Sequence, residues 1–246
     1  MPTSSSSTAR TQWAPSRRTP PAGNVAAWLS DGGNGAVRVN AAGTPWHDAD
    51  LTALAGVVGL SAVVVPMAED PTTLTRVHEL TGAPVLALVE TARGILRATD
   101  LAEADGVARL AFAHLDFTAD IDAEPVDEAV HHARSVLVLA SRAAGLPGPV
   151  DGVTTNLDDE SITDADARRA RRLGMGGKLC IHPRQVEIIH RAFAPTAEQI
   201  AWAHRVLAAA AESPASAVRL VLQPHLFVVD RRVVDVRLMT GAMVLM

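Results

Sequence analysis

Six short apolar runs, each followed by a stretch with helical spacing, limit what this chain can fold into. Strands that alternate with helices in this way are typical of β/α units on a parallel sheet. The runs are almost wholly apolar, as expected for strands covered on both faces. They lie at residues 37–40, 62–66, 85–90, 109–116, 150–154 and 178–183. The sequence therefore predicts an α/β fold with six parallel strands.

The stretches between these runs predict helices, several of which end on a glycine. Glycine suits the left-handed C-cap of a helix. Beyond the last helix, extended runs on either side of Pro224 form an apolar tail, which we expect to dock on its own chain or on a neighbouring subunit. The predicted helices cover residues 48–56, 71–82, 94–104, 127–145, 164–174, 184–193 and 195–212.

Composition excludes several classes of protein. With 22 basic and 27 acidic residues the net charge is −5, and no long basic run offers a surface for nucleic acid. No run of about 18 apolar residues occurs, so we expect no membrane span. The single cysteine, Cys180, lies inside an apolar run, which fits a buried thiol in a reducing compartment. We therefore expect a cytoplasmic protein.

Polar side chains stand where several of the predicted strands end. In parallel β/α folds, ligands bind beyond the carboxyl ends of the strands. Carboxylates at the ends of adjacent strands would converge on one place, and Mg²⁺ commonly takes one or two carboxylates. Glu90 and Asp116 are therefore the candidate Mg²⁺ ligands. The strand-end residues are Arg38 and Asn40 in the first strand, Glu90 in the third, Asp116 in the fourth and His182 in the sixth.

Each of these residues also has a plainer interpretation. Glu90 could cap the helix that follows it, and Asp116 could be an N-cap or turn residue. Arg38 could neutralise a nearby carboxylate, although its planar fork also suits the carboxylate of a substrate. His182 closes a buried strand, where a structural hydrogen bond is the commoner role, so it is left outside the catalytic set.

Several motifs resemble those of the citrate lyase β-subunit and HpcH/HpaI aldolase family, and they occur in the order and at the spacing found in that family. The resemblance runs from about Asn24 to Asp235. It implies a TIM (β/α) barrel of the phosphoenolpyruvate/pyruvate superfamily, assembled as homotrimers or hexamers. The motifs are VRVN at 37–40, ALVETARG at 87–94, AFAHLDF at 111–117 and GKLCIHP at 177–183.

The resemblance also implies roles for individual residues. Glu90 and Asp116 would hold Mg²⁺, and Arg38, with Glu90, would bind the oxo-acid part of the substrate. In the branch that acts on CoA esters, a C-terminal segment reaches over the active site of a neighbouring subunit and supplies an aspartate. Residues 228–231 resemble that segment, so Asp230 is the candidate catalytic residue for proton transfer.

The resemblance does not include the family's first two barrel strands, because the motifs of those strands do not occur before Asn24. We therefore expect an N-terminally incomplete barrel of about six of the eight strands. The expected organisation is a disordered segment at 1–24, a partial barrel at 25–213 and, at 214–246, a C-terminal extension that packs on a neighbouring subunit.

Three functions follow as hypotheses. The first is a Mg²⁺-dependent carbon–carbon lyase that cleaves a citramalyl-, malyl- or citryl-CoA thioester to an acyl-CoA and a 2-oxo acid. The second is a non-catalytic, truncated family remnant that retains metal or partner binding. The third is a metal-dependent aldolase that cleaves hydroxy-oxo acids without CoA.

Overall fold

The computed structural model describes residues 21–212 and 241–244 of the chain. Within these residues, seven strands form one parallel sheet in which each strand pairs with the next one along the chain. The first and last strands do not pair with each other, so the barrel is open. The strands are β1 (Gly35–Arg38), β2 (Leu60–Val65), β3 (Val85–Val89), β4 (Val107–Phe112), β5 (Val150–Asp151), β6 (Gly177–Cys180) and β7 (Gly241–Val244).

Helices connect the strands of this sheet, as the alternating pattern predicted. None of the described helices is long and apolar enough to cross a membrane. They are α1 (Pro21–Ser30), α2 (His47–Leu54), α3 (Pro71–Thr81), α4 (Ala92–Leu96), α5 (Ala98–Glu103), α6 (His114–Asp120), α7 (Asp127–Ala143), α8 (Glu160–Arg172), α9 (Gln185–Phe193) and α10 (Ala197–Glu212).

Helix α3 shows how the local sequence sets these boundaries. Asp70 adopts an extended conformation before the helix, and its carboxylate accepts a hydrogen bond from the backbone N–H of Thr72. Pro71 occupies the first turn, where a missing N–H costs nothing. Gly82 ends the helix in the left-handed conformation, with φ of 70°.

The sheet separates two apolar layers. On its outer face, alternate strand residues such as Val63, Val85 and Phe112 pack against the helices in the main core. On its inner face, Val64, Leu88 and other side chains form a smaller cluster. The six predicted strands are confirmed, and their alternation places residues 86, 88 and 90 on the inner face.

The fourth strand differs from its predicted extent of 109–116. It ends at Phe112, and α6 begins at His114. Phe117 is buried at 6% exposure and its ring lies 5.4 Å from that of Phe112, so a helical turn keeps both rings in the core. The helix predicted at 94–104 is likewise divided, at Arg97, into α4 and α5.

The two ends of the described chain bear on the expected organisation. Helix α1 begins at Pro21, inside the segment predicted to be disordered, and residues 1–20 lie outside the described residues. At the other end, Gly241–Val244 pairs with β6 of the same chain, one of the two ways in which the tail was expected to dock. Packing of the extension on a neighbouring subunit stays a prediction. The extended runs predicted around Pro224 lie outside the described residues.

Candidate active site

Glu90 directly follows β3, at the carboxyl end of the strand. Its side chain lies on the inner face of the sheet. Its side chain is buried, with 8% of the residue exposed. The next residue, Thr91, is the N-cap of α4, and its hydroxyl accepts a hydrogen bond from the N–H of Gly94 at 3.1 Å. Because Thr91 performs the capping, Glu90 is not the cap of that helix.

Asp116 lies on the first turn of α6 and not at the end of a strand. The N-cap position of α6 is Ala113, so Asp116 is not an N-cap residue either. An acidic side chain in the first turn interacts favourably with the positive end of the helix dipole. Its carboxylate is exposed and close enough to Glu90 to act on it electrostatically.

The surroundings raise the pKa of Glu90 to about 7. Burial is the largest cause, because a charged carboxylate loses its hydration there, and repulsion from Asp116 adds to it. The positive charge of Arg38 and the backbone N–H of Met67 lower this pKa in part. Arg38, Glu90 and Asp116, which were selected as polar residues at the ends of predicted strands, therefore lie within electrostatic reach of one another around Glu90.

The loop after β1 is held by residues of α2. The carboxylate of Asp50 accepts hydrogen bonds from the backbone N–H of Asn40 at 2.9 Å and from its side-chain amide at 2.7 Å. His47 Nδ1 lies 2.7 Å from the carbonyl oxygen of Asn40. His47 and Asp50 are both buried. This clamp fixes the strand end just beyond Arg38.

A cavity of about 440 Å³ opens beside these residues, between the loops that follow β1 and β2. Its wall is formed by residues 41–44 and 65–70, together with Thr73 and Leu74 of α3. Since Met67 belongs to this wall and its backbone N–H lies close enough to act on the pKa of Glu90, the cavity adjoins the carboxylate pair. A substrate fragment has room there next to the candidate site.

The hydrogen bond of His182 is local and does not involve Glu90 or Asp116. His182 is exposed, and its Nδ1 accepts a hydrogen bond from the backbone N–H of Arg184 at 3.1 Å. That local turn contact agrees with the structural role expected for this histidine. Asp230 lies outside the described residues.

A second charged cluster lies on the outer face of the sheet. It was not predicted, because the search considered only polar residues at the ends of the strands. Asp151 and Lys178 are 0% and 1% exposed, on adjacent strands. Arg134 of α7 donates from Nε to Asp151 at 2.8 Å, and the Lys178 ammonium lies 3.8 Å from the other oxygen of Asp151. Lys178 also donates to the carbonyl oxygen of Gly152 at 2.7 Å. A charged residue inside an apolar strand was the signal for this network.

Two adjacent carboxylates fit a divalent cation. Burial and mutual repulsion make the ionised pair of Glu90 and Asp116 unfavourable, and a cation between them would remove that repulsion. Within residues 21–212 and 241–244, no set of three or more His, Cys, Asp or Glu side chains could enclose a metal. Mg²⁺ commonly takes one or two carboxylates together with oxygens of its substrate, so the pair of Glu90 and Asp116 suits this ion.

The raised pKa of Glu90 predicts a pH dependence of stability. Between pH 4.5 and about 7 the folded protein binds a proton that the unfolded chain has lost, so stability falls as pH rises. This contribution should total about 3 kcal/mol. Urea unfolding without added metal, at pH 4.5 and pH 8, measures it. Glu90→Gln should show a correspondingly smaller pH dependence, and equal slopes would contradict the assignment.

Comparison with known proteins shows what this chain is similar to. Residues 26–183 match the family model described as HpcH/HpaI aldolase/citrate lyase. A citrate lyase subunit beta-like protein of Mycobacterium tuberculosis (strain ATCC 25618 / H37Rv) is 36% identical over 180 residues, which is 70% of this chain and 64% of that protein. Citrate lyase subunit beta of Leuconostoc mesenteroides subsp. cremoris is 32% identical over 195 residues, covering 72% of this chain and 63% of that protein.

A solved structure gives the same result. The protein CitE of Mycobacterium tuberculosis, in complex with magnesium, acetoacetate and coenzyme A, superposes with a TM-score of 0.61 at 31% identity. The match covers 81% of this chain and 72% of that chain. The similar regions span 63–64% of the length of the two curated relatives. The motifs, the open β/α barrel and these matches agree, and the chain belongs to the HpcH/HpaI aldolase/citrate lyase family.

Proposed function

We propose that this chain is a Mg²⁺-dependent carbon–carbon lyase. Its substrate would be a 3-hydroxyacyl-CoA thioester of the citramalyl-, malyl- or citryl-CoA type, cleaved to an acyl-CoA and a 2-oxo acid. The observation that carries this proposal is the buried Glu90 carboxylate, placed within electrostatic reach of both Asp116 and Arg38. Family membership and the magnesium and coenzyme A in the M. tuberculosis structure support it.

Each residue has a role that follows from its chemistry. Glu90 and Asp116 would hold Mg²⁺, which when bound polarises the oxygens of the substrate and neutralises negative charge. The guanidinium of Arg38 would bind the carboxylate of the oxo-acid part through two parallel hydrogen bonds. The exposed side chain of Arg38 on the open inner face leaves it free to meet a ligand.

Cleavage needs a residue that moves a proton. When the carbon–carbon bond breaks, the hydroxyl releases its proton to water and its carbon becomes the carbonyl of the oxo acid, while the electron pair of the broken bond stays on the α-carbon of the thioester fragment. Asp230 is proposed to donate a proton to this α-carbon, from a neighbouring subunit of a homotrimer or hexamer.

The direct test is an assay of the purified protein with Mg²⁺ and citramalyl-, malyl- or citryl-CoA. We expect release of pyruvate, glyoxylate or oxaloacetate from one of the three, abolished by a chelator and restored by added Mg²⁺. Release from a free hydroxy-oxo acid, with no turnover of any thioester, would instead indicate the CoA-independent aldolase. A folded protein that binds Mg²⁺ and cleaves nothing would indicate the non-catalytic remnant.

A further inference from the structure

Helix α6, which carries Asp116, also carries a second aspartate one turn later. Asp120 lies four residues after Asp116, and residues at this spacing project from the same face of a helix. Its carboxylate accepts a hydrogen bond from the backbone N–H of Ala92 at 2.8 Å. Ala92 is the first residue of α4 and lies two residues beyond Glu90. The face of α6 that bears Asp116 is therefore turned toward the segment that bears Glu90.

The same helix is also tied to the residue before Glu90. Ala113 occupies the N-cap position of α6, and its backbone N–H donates to the carbonyl oxygen of Val89 at 3.0 Å. One helix is thus bonded to the chain on both sides of Glu90, by Ala113 ahead of its first turn and by Asp120 at its last residue. Asp116 lies between these two bonded residues of α6.

The bond from Ala92 joins two helices that the chain order keeps apart. The first N–H groups of a helix have no acceptor within that helix. In α4, Thr91 accepts from Gly94, whereas the acceptor for Ala92 comes from Asp120, 28 positions along the chain. A cap from the same segment would satisfy this N–H without joining α4 to α6. The use of a distant carboxylate therefore sets the position of one helix against the other.

We propose that Asp120 is a positioning residue, whose bond to Ala92 fixes the separation of the Glu90 and Asp116 carboxylates and so makes the pair selective for Mg²⁺. Mg²⁺ demands near-ideal octahedral geometry with oxygens at about 2.0–2.1 Å, whereas Ca²⁺ accepts oxygens at about 2.3–2.6 Å in flexible arrangements. A fixed pair favours the smaller ion, and a loosened pair should lose that preference. This inference rests on the proposed function, because it requires Mg²⁺ at Glu90 and Asp116.

Two substitutions at Asp120 separate the hydrogen bond from the charge. Asp120→Ala removes both, whereas Asp120→Asn removes the charge and keeps an oxygen that accepts the N–H of Ala92. By calorimetric titration, Asp120→Ala should raise the Kd for Mg²⁺ about tenfold, as loss of an outer-shell partner does, and the Kd for Ca²⁺ by no more than about threefold. Asp120→Asn should stay within about threefold of the unsubstituted protein for both ions.

Asp159→Ala provides a matched control for the loss of a helix cap. Asp159 is an exposed residue that caps α8, and its carboxylate accepts a hydrogen bond from the N–H of Ser161 at 2.9 Å. Its loss should lower the Tm about as much as Asp120→Ala does. Only Asp120→Ala should change the ratio of the Mg²⁺ and Ca²⁺ affinities, because Asp159 joins no element to the segment that bears Glu90 in the described structure.

The bond itself can be followed without metal. In the metal-free protein, the amide hydrogen of Ala92 should exchange faster in Asp120→Ala than in the unsubstituted protein, and Asp120→Asn should restore most of the protection. Equal exchange in all three proteins, equal losses of Mg²⁺ affinity in the two variants, or an unchanged ratio of affinities in Asp120→Ala would overturn the inference alone. If the unsubstituted protein took up no Mg²⁺, the proposed function would fall, and the inference with it.

Discussion

We expect Glu90→Ala to abolish lyase turnover and to weaken Mg²⁺ binding by about a hundredfold or more. Loss of a hydrogen bond to a metal ligand commonly costs 10–100-fold in affinity, about the least that losing the ligand itself should cost. Asp116→Ala should give the same result, since each variant leaves one carboxylate where two lie together now. Calorimetric titration with Mg²⁺ and the assay of oxo-acid release measure the two effects.

The stability of these variants should distinguish loss of a ligand from loss of the fold. Without metal, Glu90→Gln removes a buried charge and the repulsion from Asp116, so this variant should be at least as stable as the parent protein near pH 8. Glu79→Gln on the exposed surface of α3 is the control, and should preserve both Mg²⁺ affinity and turnover. Unchanged Mg²⁺ binding in both Glu90→Ala and Asp116→Ala would remove the pair from the metal site.

The second large effect is expected at the buried network on the outer face of the sheet. Asp151→Asn should lower the free energy of unfolding by about 3–5 kcal/mol, because it leaves Arg134 and Lys178 buried without their shared carboxylate. These two cations lower the pKa of Asp151 against the effect of its burial. Lys178→Met should cost less, since Asp151 then keeps its bond to Arg134 at 2.8 Å.

Denaturant unfolding at neutral pH measures these differences. Arg168→Met is the matched control, since it breaks the bond to Asp164 at 2.7 Å but on the surface, where Arg168 is 53% exposed. A surface pair of this kind contributes less than about 1 kcal/mol. A loss at Asp151 no larger than the loss at Arg168 would contradict a stabilising role for the buried network.

The position of the candidate site could be predicted from the sequence because the carboxyl ends of parallel strands lie at the same edge of the sheet. Glu90 directly follows an apolar strand, so its position at the carboxyl edge follows from the strand boundary. Asp116 lies within electrostatic reach of Glu90, but on a helix and not at the end of a strand as predicted. The run around it, rich in Ala, Leu and Phe, suits a strand or a helix equally, and only the packing of Phe117 on Phe112 decides between them.

Other features could not be read from local patterns. The bond between Arg134 and Asp151 joins residues 17 positions apart, from a helix to a strand, and nothing in either segment alone specifies the partner. The left-handed backbone of Met67 is set by bonds to β3 and its following helices, since methionine itself disfavours that conformation. Both features depend on tertiary contacts that exist only once the β/α units are assembled.

Lys178 is the only lysine in the sequence, and all the other basic side chains counted as Lys or Arg are arginines. With its ammonium 1% exposed and bonded to Gly152, it is shielded from amine-reactive reagents while the sheet is intact. Such a reagent would reach Lys178 only after β5 and β6 open. The chain thus carries a built-in chemical reporter of its own unfolding, at a single position that mass spectrometry can identify.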